Sequence, residues 1–190
     1  MSTTDEDTAA QLLTQLHQYL HTRPVTGPAG HSYISSEPRA TAVHPPAPID
    51  LTVIDHIDAT VRELADYTRQ ANPSAEPLPE RVEAVYAWCV ENTQNAPEDV
   101  QQRRDTLIYR QKLEHALAAG DHNLVRKAVR PIRCPACNTF GLFWKPEVGK
   151  AVCTNGRCLT KDGLSHRWSL ARIATAHVEA QQKISRVRAT

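Results

Sequence analysis

Four of the five cysteines fall in two close pairs, Cys134-x2-Cys137 and Cys153-x4-Cys158, with fifteen residues between the pairs. A two-residue gap lets one tight turn present two sulfurs to one ion, and zinc takes four thiolates at the corners of a tetrahedron. The intervening residues fit that geometry. Phe140 to Trp144 and Lys150 to Cys153 read as short strands joined by a turn that Pro146 and Gly149 punctuate, and His166, Arg167 and Trp168 offer a third. Pro135 and Asn138 in the first knuckle, and Asn155-Gly156 in the second, supply tight-turn chemistry. The spacing excludes the common iron–sulfur patterns. Close pairs fit metal binding in a reduced compartment better than a disulfide scaffold. Four sulfurs leave no open position for an activated water, so the expected ion is one structural Zn2+ and not a catalytic centre. Such a site contributes on the order of 10 kcal/mol to folding. His166 would become a ligand only if one knuckle failed to close.

Ile132 to Trp168, with its RCPAC and VCTNGRC knuckles, resembles the zinc-ribbon domain of many transcription-related and nucleic-acid-processing proteins. The likeness covers about a fifth of the chain. It implies Cys134, Cys137, Cys153 and Cys158 as the zinc ligands. The second knuckle is Cys-x4-Cys where such ribbons more usually have Cys-x2-Cys. A helical N-terminal region before the ribbon and a Trp-Ser-Leu helix start after it are similar to small zinc-ribbon proteins of actinobacteria and their phages. That wider resemblance brings no activity with it.

Outside the ribbon the patterns are helical. Leu12, Leu13, Leu16, Tyr19 and Leu20 predict a helix over Thr8–Thr22. Pro24 to Pro48, rich in Pro, Gly, Ser and His, reads as an irregular linker. Asp50 is placed to cap a helix running to Gln70, with Ile54, Ile57, Val61, Leu64 and Thr68 as its apolar stripe. After a Pro-rich break from Asn72 to Glu80, a third helix runs to Thr93 with Val82, Val85, Tyr86 and Cys89 on one side. Asn95-Ala96-Pro97-Glu98 has the cap-and-proline pattern of a fourth helix start, and Gly120 suits its end near Ala119. Asp121 caps a short fifth helix, Asn123 to Val129, ended by Pro131. A last helix from Ser169 carries Leu170, Ile173, Ala174, His177, Gln181, Ile184 and Val187, and its basic end is expected to fray. The expected fold is mainly α with a small β zinc ribbon. Its parts are an N-terminal helix (1–22), a linker (23–49), a helical bundle (50–131), the ribbon (132–168) and a basic C-terminal helix (169–190).

The formal net charge of +1 hides a split. Residues 1–100 hold fifteen Asp and Glu against five Arg and no Lys, a net −10, and the remainder a net +11. Such a split points to a polyanionic partner for the basic half, or to attraction between the halves. Arg126, Lys127, Arg130 and Arg133 enter the ribbon, Lys145, Lys150, Arg157, Lys161 and Arg167 decorate it, and Arg172 follows. Cations neutralise phosphates and exposed rings stack on bases, so nucleic acid is the expected partner and these ten residues its candidate contacts. Phe143, Trp144 and Trp168 interleave with them, although so small a fold is expected to keep Phe143 and Trp168 inside as its core. The alternative is an adaptor whose ribbon docks on a protein partner such as transcription machinery.

Nothing in the sequence suggests an enzyme. There is no phosphate-binding glycine loop, no GxSxG elbow and no zinc-deaminase signature. Cys89, beside Trp88, reads as a buried small hydrophobe, and His17 and His21, four apart, as chance placement. The paired acids Asp55 and Asp58, and Glu98 and Asp99, read as solvated surfaces. The N-terminal residues lack a secretory pattern and no apolar run reaches a membrane-spanning length, so a cytoplasmic location with neither membrane nor small-molecule substrate is expected.

Overall fold

The computed structural model of the chain describes residues 3–22 and 51–188. The stretch read as a linker and the cap Asp50 lie outside the described residues. Among those described, the order is α1 (Thr3–Thr22), α2 (Leu51–Ala71), α3 (Val85–Thr93), α4 (Glu98–Ala118), α5 (His122–Val129), β1 (Leu142–Lys145), β2 (Lys150–Cys153), β3 (Arg167–Trp168) and α6 (Leu170–Arg188). The fold is therefore mainly helical with one small antiparallel sheet. Val82–Ala84, expected at the start of the third helix, forms a separate 3-10 turn.

The junction between α4 and α5 is built from local backbone chemistry. Gly120 takes φ 78, open to glycine at little steric cost. Its N–H bonds the carbonyl of Leu117 at 2.9 Å, and that of Asp121 reaches Ala116 at 2.8 Å. This double closure satisfies carbonyls the ending helix leaves unpaired. Asp121 then turns its Oδ1 to the N–H of Leu124 at 2.9 Å and caps α5. At the other end of α4 the cap is Pro97, with no side-chain hydrogen bond, and not Asn95.

Two apolar cores meet on α4. One joins α1, α2 and α3 through Leu13, Leu16, Ile57, Leu64, Val85 and Tyr86, with Ile108 of α4. The other joins α4, α5, α6 and the sheet through Tyr109, Leu113, Val125, Val129, Leu142, Trp144 and Ile173. Helix α4 packs against all five other helices and buries Arg104, Ile108, Tyr109, Gln111, Leu113, His115 and Ala116. On α2 the buried set is Val53, Ile57, Thr60, Leu64, Ala65 and Thr68, turned slightly from the expected stripe because Ile54 and Val61 are only half-buried. On α6, Ile173, Ala174 and Val178 are buried, whereas Ile184 and Val187 lie exposed beyond the packed part of the helix.

The sheet order is β1-β2-β3, antiparallel throughout. Leu142 pairs with Cys153, and Trp144 with Ala151, which also faces Trp168; these side chains share the face turned to the core. Phe143 pairs with Val152, opposite Arg167, and Lys145 pairs with Lys150, all on the other face. Trp168 packs against the core as expected, but Phe143 does not. It is 37% exposed, because β-strand alternation gives the inward positions to Leu142 and Trp144.

Candidate metal centre

The hairpin between β1 and β2 and the turns flanking it bring the four paired cysteines together. Cys134 and Cys137 sit in a turn that Asn138, at φ 56, closes with its N–H on the carbonyl of Cys134 at 2.8 Å. Asparagine is one of the few side chains that tolerate that conformation. Cys153 ends β2, and the N–H of Cys158 returns to the carbonyl of Asn155 at 2.9 Å. Asn155 Oδ1 also accepts from the N–H of Arg157 at 3.0 Å, so the four-residue gap of this knuckle is filled by an ordered turn. Isolated pairings of Arg133 with Phe140 and of Leu159 with Ser165 brace the two knuckles.

The sulfurs of Cys134 and Cys158 are 3.8 Å apart, and those of Cys137 and Cys153 are 3.7 Å apart. All four lie within 4.8 Å of one another, close enough to hold one metal ion. Cys134, Cys153 and Cys158 are buried in the core shared with α4, α5 and α6, while Cys137 is half-buried. Thr139 places its hydroxyl 3.0 Å from the Cys137 sulfur. That contact and the backbone of Thr139 pull the Cys137 thiol down to about 6, whereas burial pushes Cys153 and Cys158 up. The thiolate is the form that binds a metal, so Cys137 is poised to ligate, whereas Cys153 and Cys158 would give up their protons on binding. No other group of three or more metal-ligating side chains occurs among the described residues. His166 stacks on Trp168, with ring centroids 5.5 Å apart.

Gly141 ties the knuckles. Its carbonyl accepts from the N–H of Thr154 at 2.9 Å and from the Thr154 hydroxyl at 2.8 Å. With φ 134, a Cβ there would lie 2.8 Å from the Thr154 hydroxyl oxygen.

The cations divide into two groups. Five cations of α4 and α6 are paired with carboxylates: Lys112 with Asp5 at 2.7 Å, Arg104 with Asp105 at 2.9 Å, Arg110 with Glu63 and Glu114, Arg103 with Asp99, and Arg186 with Glu98. Four of these pairs, those of Arg103 with Asp99, Arg110 with Glu63, Lys112 with Asp5 and Arg186 with Glu98, join the acidic and basic halves. By contrast, none of the ten candidate contact residues forms an ion pair among the described residues. Lys127 stands exposed on α5 and Arg130 just past its end, Lys145, Lys150 and Arg167 on the sheet, Arg157 and Lys161 in loops, and Arg172 on α6. Arg126 lies over the Phe143 ring at 5.6 Å, and Arg133 over Phe140 at 4.3 Å. Phe140, 59% exposed, escaped sequence reasoning because its position beside the bend at Gly141 hides its facing.

Also unforeseen is a buried polar chain in the bundle. His56 Nε2 lies 2.8 Å from His115 Nδ1, and His115 Nε2 lies 2.6 Å from the Tyr86 hydroxyl. Tyr86 donates to Gln111 Oε1 at 3.0 Å, and Gln111 Nε2 donates to Glu63 at 2.9 Å. No spacing rule marks these residues in the sequence. Cys89 is fully buried, and that burial raises its thiol pKa. His17 lies 3.6 Å from Glu83, while the side chain of His21 is outside the described residues. Among the described residues, no helix is long and apolar enough to cross a membrane. Compared with known proteins, the chain matches no family model, no curated protein and no solved structure.

Proposed function

We propose that the four cysteines hold one structural zinc ion and that the ribbon they fold is a non-catalytic surface for nucleic acid. A Zn–S bond of about 2.3 Å gives a tetrahedron with edges of about 3.8 Å. The sulfur separations of 3.7 and 3.8 Å fit that figure. Four thiolates close the coordination shell, so the ion shapes the fold and offers no site to a substrate. The protein would act in the cytoplasm, and the likeness of its layout to actinobacterial and phage zinc-ribbon proteins fits that setting.

One observation carries the nucleic-acid reading: ten cations are gathered on and beside the ribbon, and none of them has a carboxylate partner among the described residues. Arginine and lysine side chains held over a surface without counter-charges form a field for a polyanion. The acidic bundle at the other side of α4 repels the same polyanion and so directs it to the ribbon. A protein partner is the second reading, favoured by the exposure of Ile184 on α6.

Charge reversal separates the two. Arg126→Glu with Lys127→Glu, Arg130→Glu and Arg133→Glu is expected to abolish binding of zinc-loaded protein to mixed-sequence DNA or RNA and to flatten its salt dependence. On duplex DNA, each phosphate that is no longer neutralised lowers the steepness of log K against log salt by about 0.9. If the parent protein binds no polynucleotide at low salt, the nucleic-acid reading fails and the adaptor reading stands ahead.

A further inference from the structure

The outward face of the ribbon sheet is neither a plain cationic surface nor a covered one. Phe143, Val152 and Arg167 form a row across all three strands, with Lys145 and Lys150 side by side in the next. Beside them a groove of about 240 Å³ is lined by Lys145, Val148, Val152, Leu164, Ser165 and Arg167. Val148 and Leu164 are 43% and 57% exposed. At the strand edge, Phe140 and Phe143 each carry a guanidinium over the ring. Those guanidinium groups are themselves held, Arg133 by the carbonyl of Asn138 at 2.9 Å and Arg126 by Asn123 Oδ1 at 3.0 Å. The acids of the ribbon, Glu147 and Asp162, are exposed and pair with none of these cations.

Exposed phenyl rings in a fold this short of aromatic residues gain nothing from water. A duplex would not use them either, since its bases are stacked on each other and present only phosphates and groove edges. Unpaired bases present open π-faces, and cations between exposed rings track the backbone that carries them. We propose that this face binds single-stranded polynucleotide, with bases stacking on Phe140 and Phe143 and phosphates lying along Lys145, Lys150 and Arg167. The proposal rests on the nucleic-acid reading above and narrows it to unpaired strands, of DNA or RNA alike, because no feature of the face selects the sugar.

The test uses the full zinc-loaded chain and fluorescent oligonucleotides of mixed sequence, as unpaired DNA, unpaired RNA and duplex DNA, followed by anisotropy at two salt concentrations. Unpaired strands are expected to bind about tenfold or more tighter than the duplex. Phe140→Leu and Phe143→Leu, which keep apolar bulk and remove the ring, should each weaken unpaired-strand binding about 5- to 100-fold and leave duplex binding unchanged. Phe143→Tyr should restore it. Metal content and thermal unfolding equal to the parent's identify variants that are folded. Equal affinity for duplex and unpaired strands, or folded Leu variants that bind unpaired strands like the parent, would overturn the stacking proposal while leaving nucleic-acid binding intact. Absence of binding to every strand at low salt would overturn both.

Discussion

His115 is fully buried on α4, and its neighbours allow it one protonation state. With Tyr86 donating to Gln111, the chain closes when His115 Nε2–H donates to the Tyr86 oxygen and His56 Nε2–H donates to His115 Nδ1. A second proton on His115 would set two N–H groups against each other. Burial first, then His56 and Arg110, hold its pKa down to about 3. An unfolded histidine titrates near 6.5. Between those values the unfolded chain takes up a proton that the folded chain refuses, so this residue subtracts stability as pH falls from about 6.5 toward 3, at about 1.4 kcal/mol per pH unit. Metal-bound thiolates at the four-cysteine cluster would add their own acid sensitivity, which a comparison at equal pH cancels. His115→Gln is therefore expected to be about 1–3 kcal/mol less stable than the parent at neutral pH, because buried hydrogen bonds go unmade. That gap should narrow steadily in denaturant titrations as pH is lowered to 5. A gap independent of pH would mean that His115 is not refusing a proton in the fold.

The knuckles, as elements, depend on one glycine more than on their length. Gly141→Ala must strain a backbone at φ 134 and push a methyl group into the Thr154 hydroxyl that links the two turns. A cost of about 1–3 kcal/mol is expected, read as a lower unfolding midpoint and faster metal loss to a chelator. Gly156→Ala, in open space at an ordinary φ, serves as the control and should leave both near the parent's values. The sequence made the knuckles legible because cysteine spacing, Asn138 and Asn155 act over a few residues of chain. Gly120 and Asp121 were legible for the same reason, as each satisfies backbone groups within four residues of itself. The facing of Phe143 was not, since it depends on which side of the sheet α5 and α6 cover. The interior of α4 was least legible. A helix surrounded by five others loses the one-sided apolar stripe that periodicity detects, and its buried Gln111 and His115 have partners on α2 and α3. Thus the architecture and the four-sulfur cluster could be read beforehand, and the aromatic edge and the polar chain could not.

In the whole molecule the metal cluster and the bundle touch different sides of one helix. Three of the four sulfurs lie in the core built on Tyr109, Leu113 and Ala116, while Ile108 belongs to the other. Chelation of the metal should accordingly unravel the ribbon and expose the amides of α5 and α6 to hydrogen exchange, with α2 and α3 protected about as before. Loss of protection in α2 and α3 to the same degree would show instead that the two cores melt as one. The shared helix also sets an order of events during synthesis. When α4 has left the ribosome, the face that meets α1, α2 and α3 finds its partners already made. The face bearing Leu113 and Ala116 must wait for α5, the three strands and α6, and for an ion. A chain denied that ion would be left half-finished, helical and well packed on one flank and greasy on the other, which is the form that chaperones and proteases recognise.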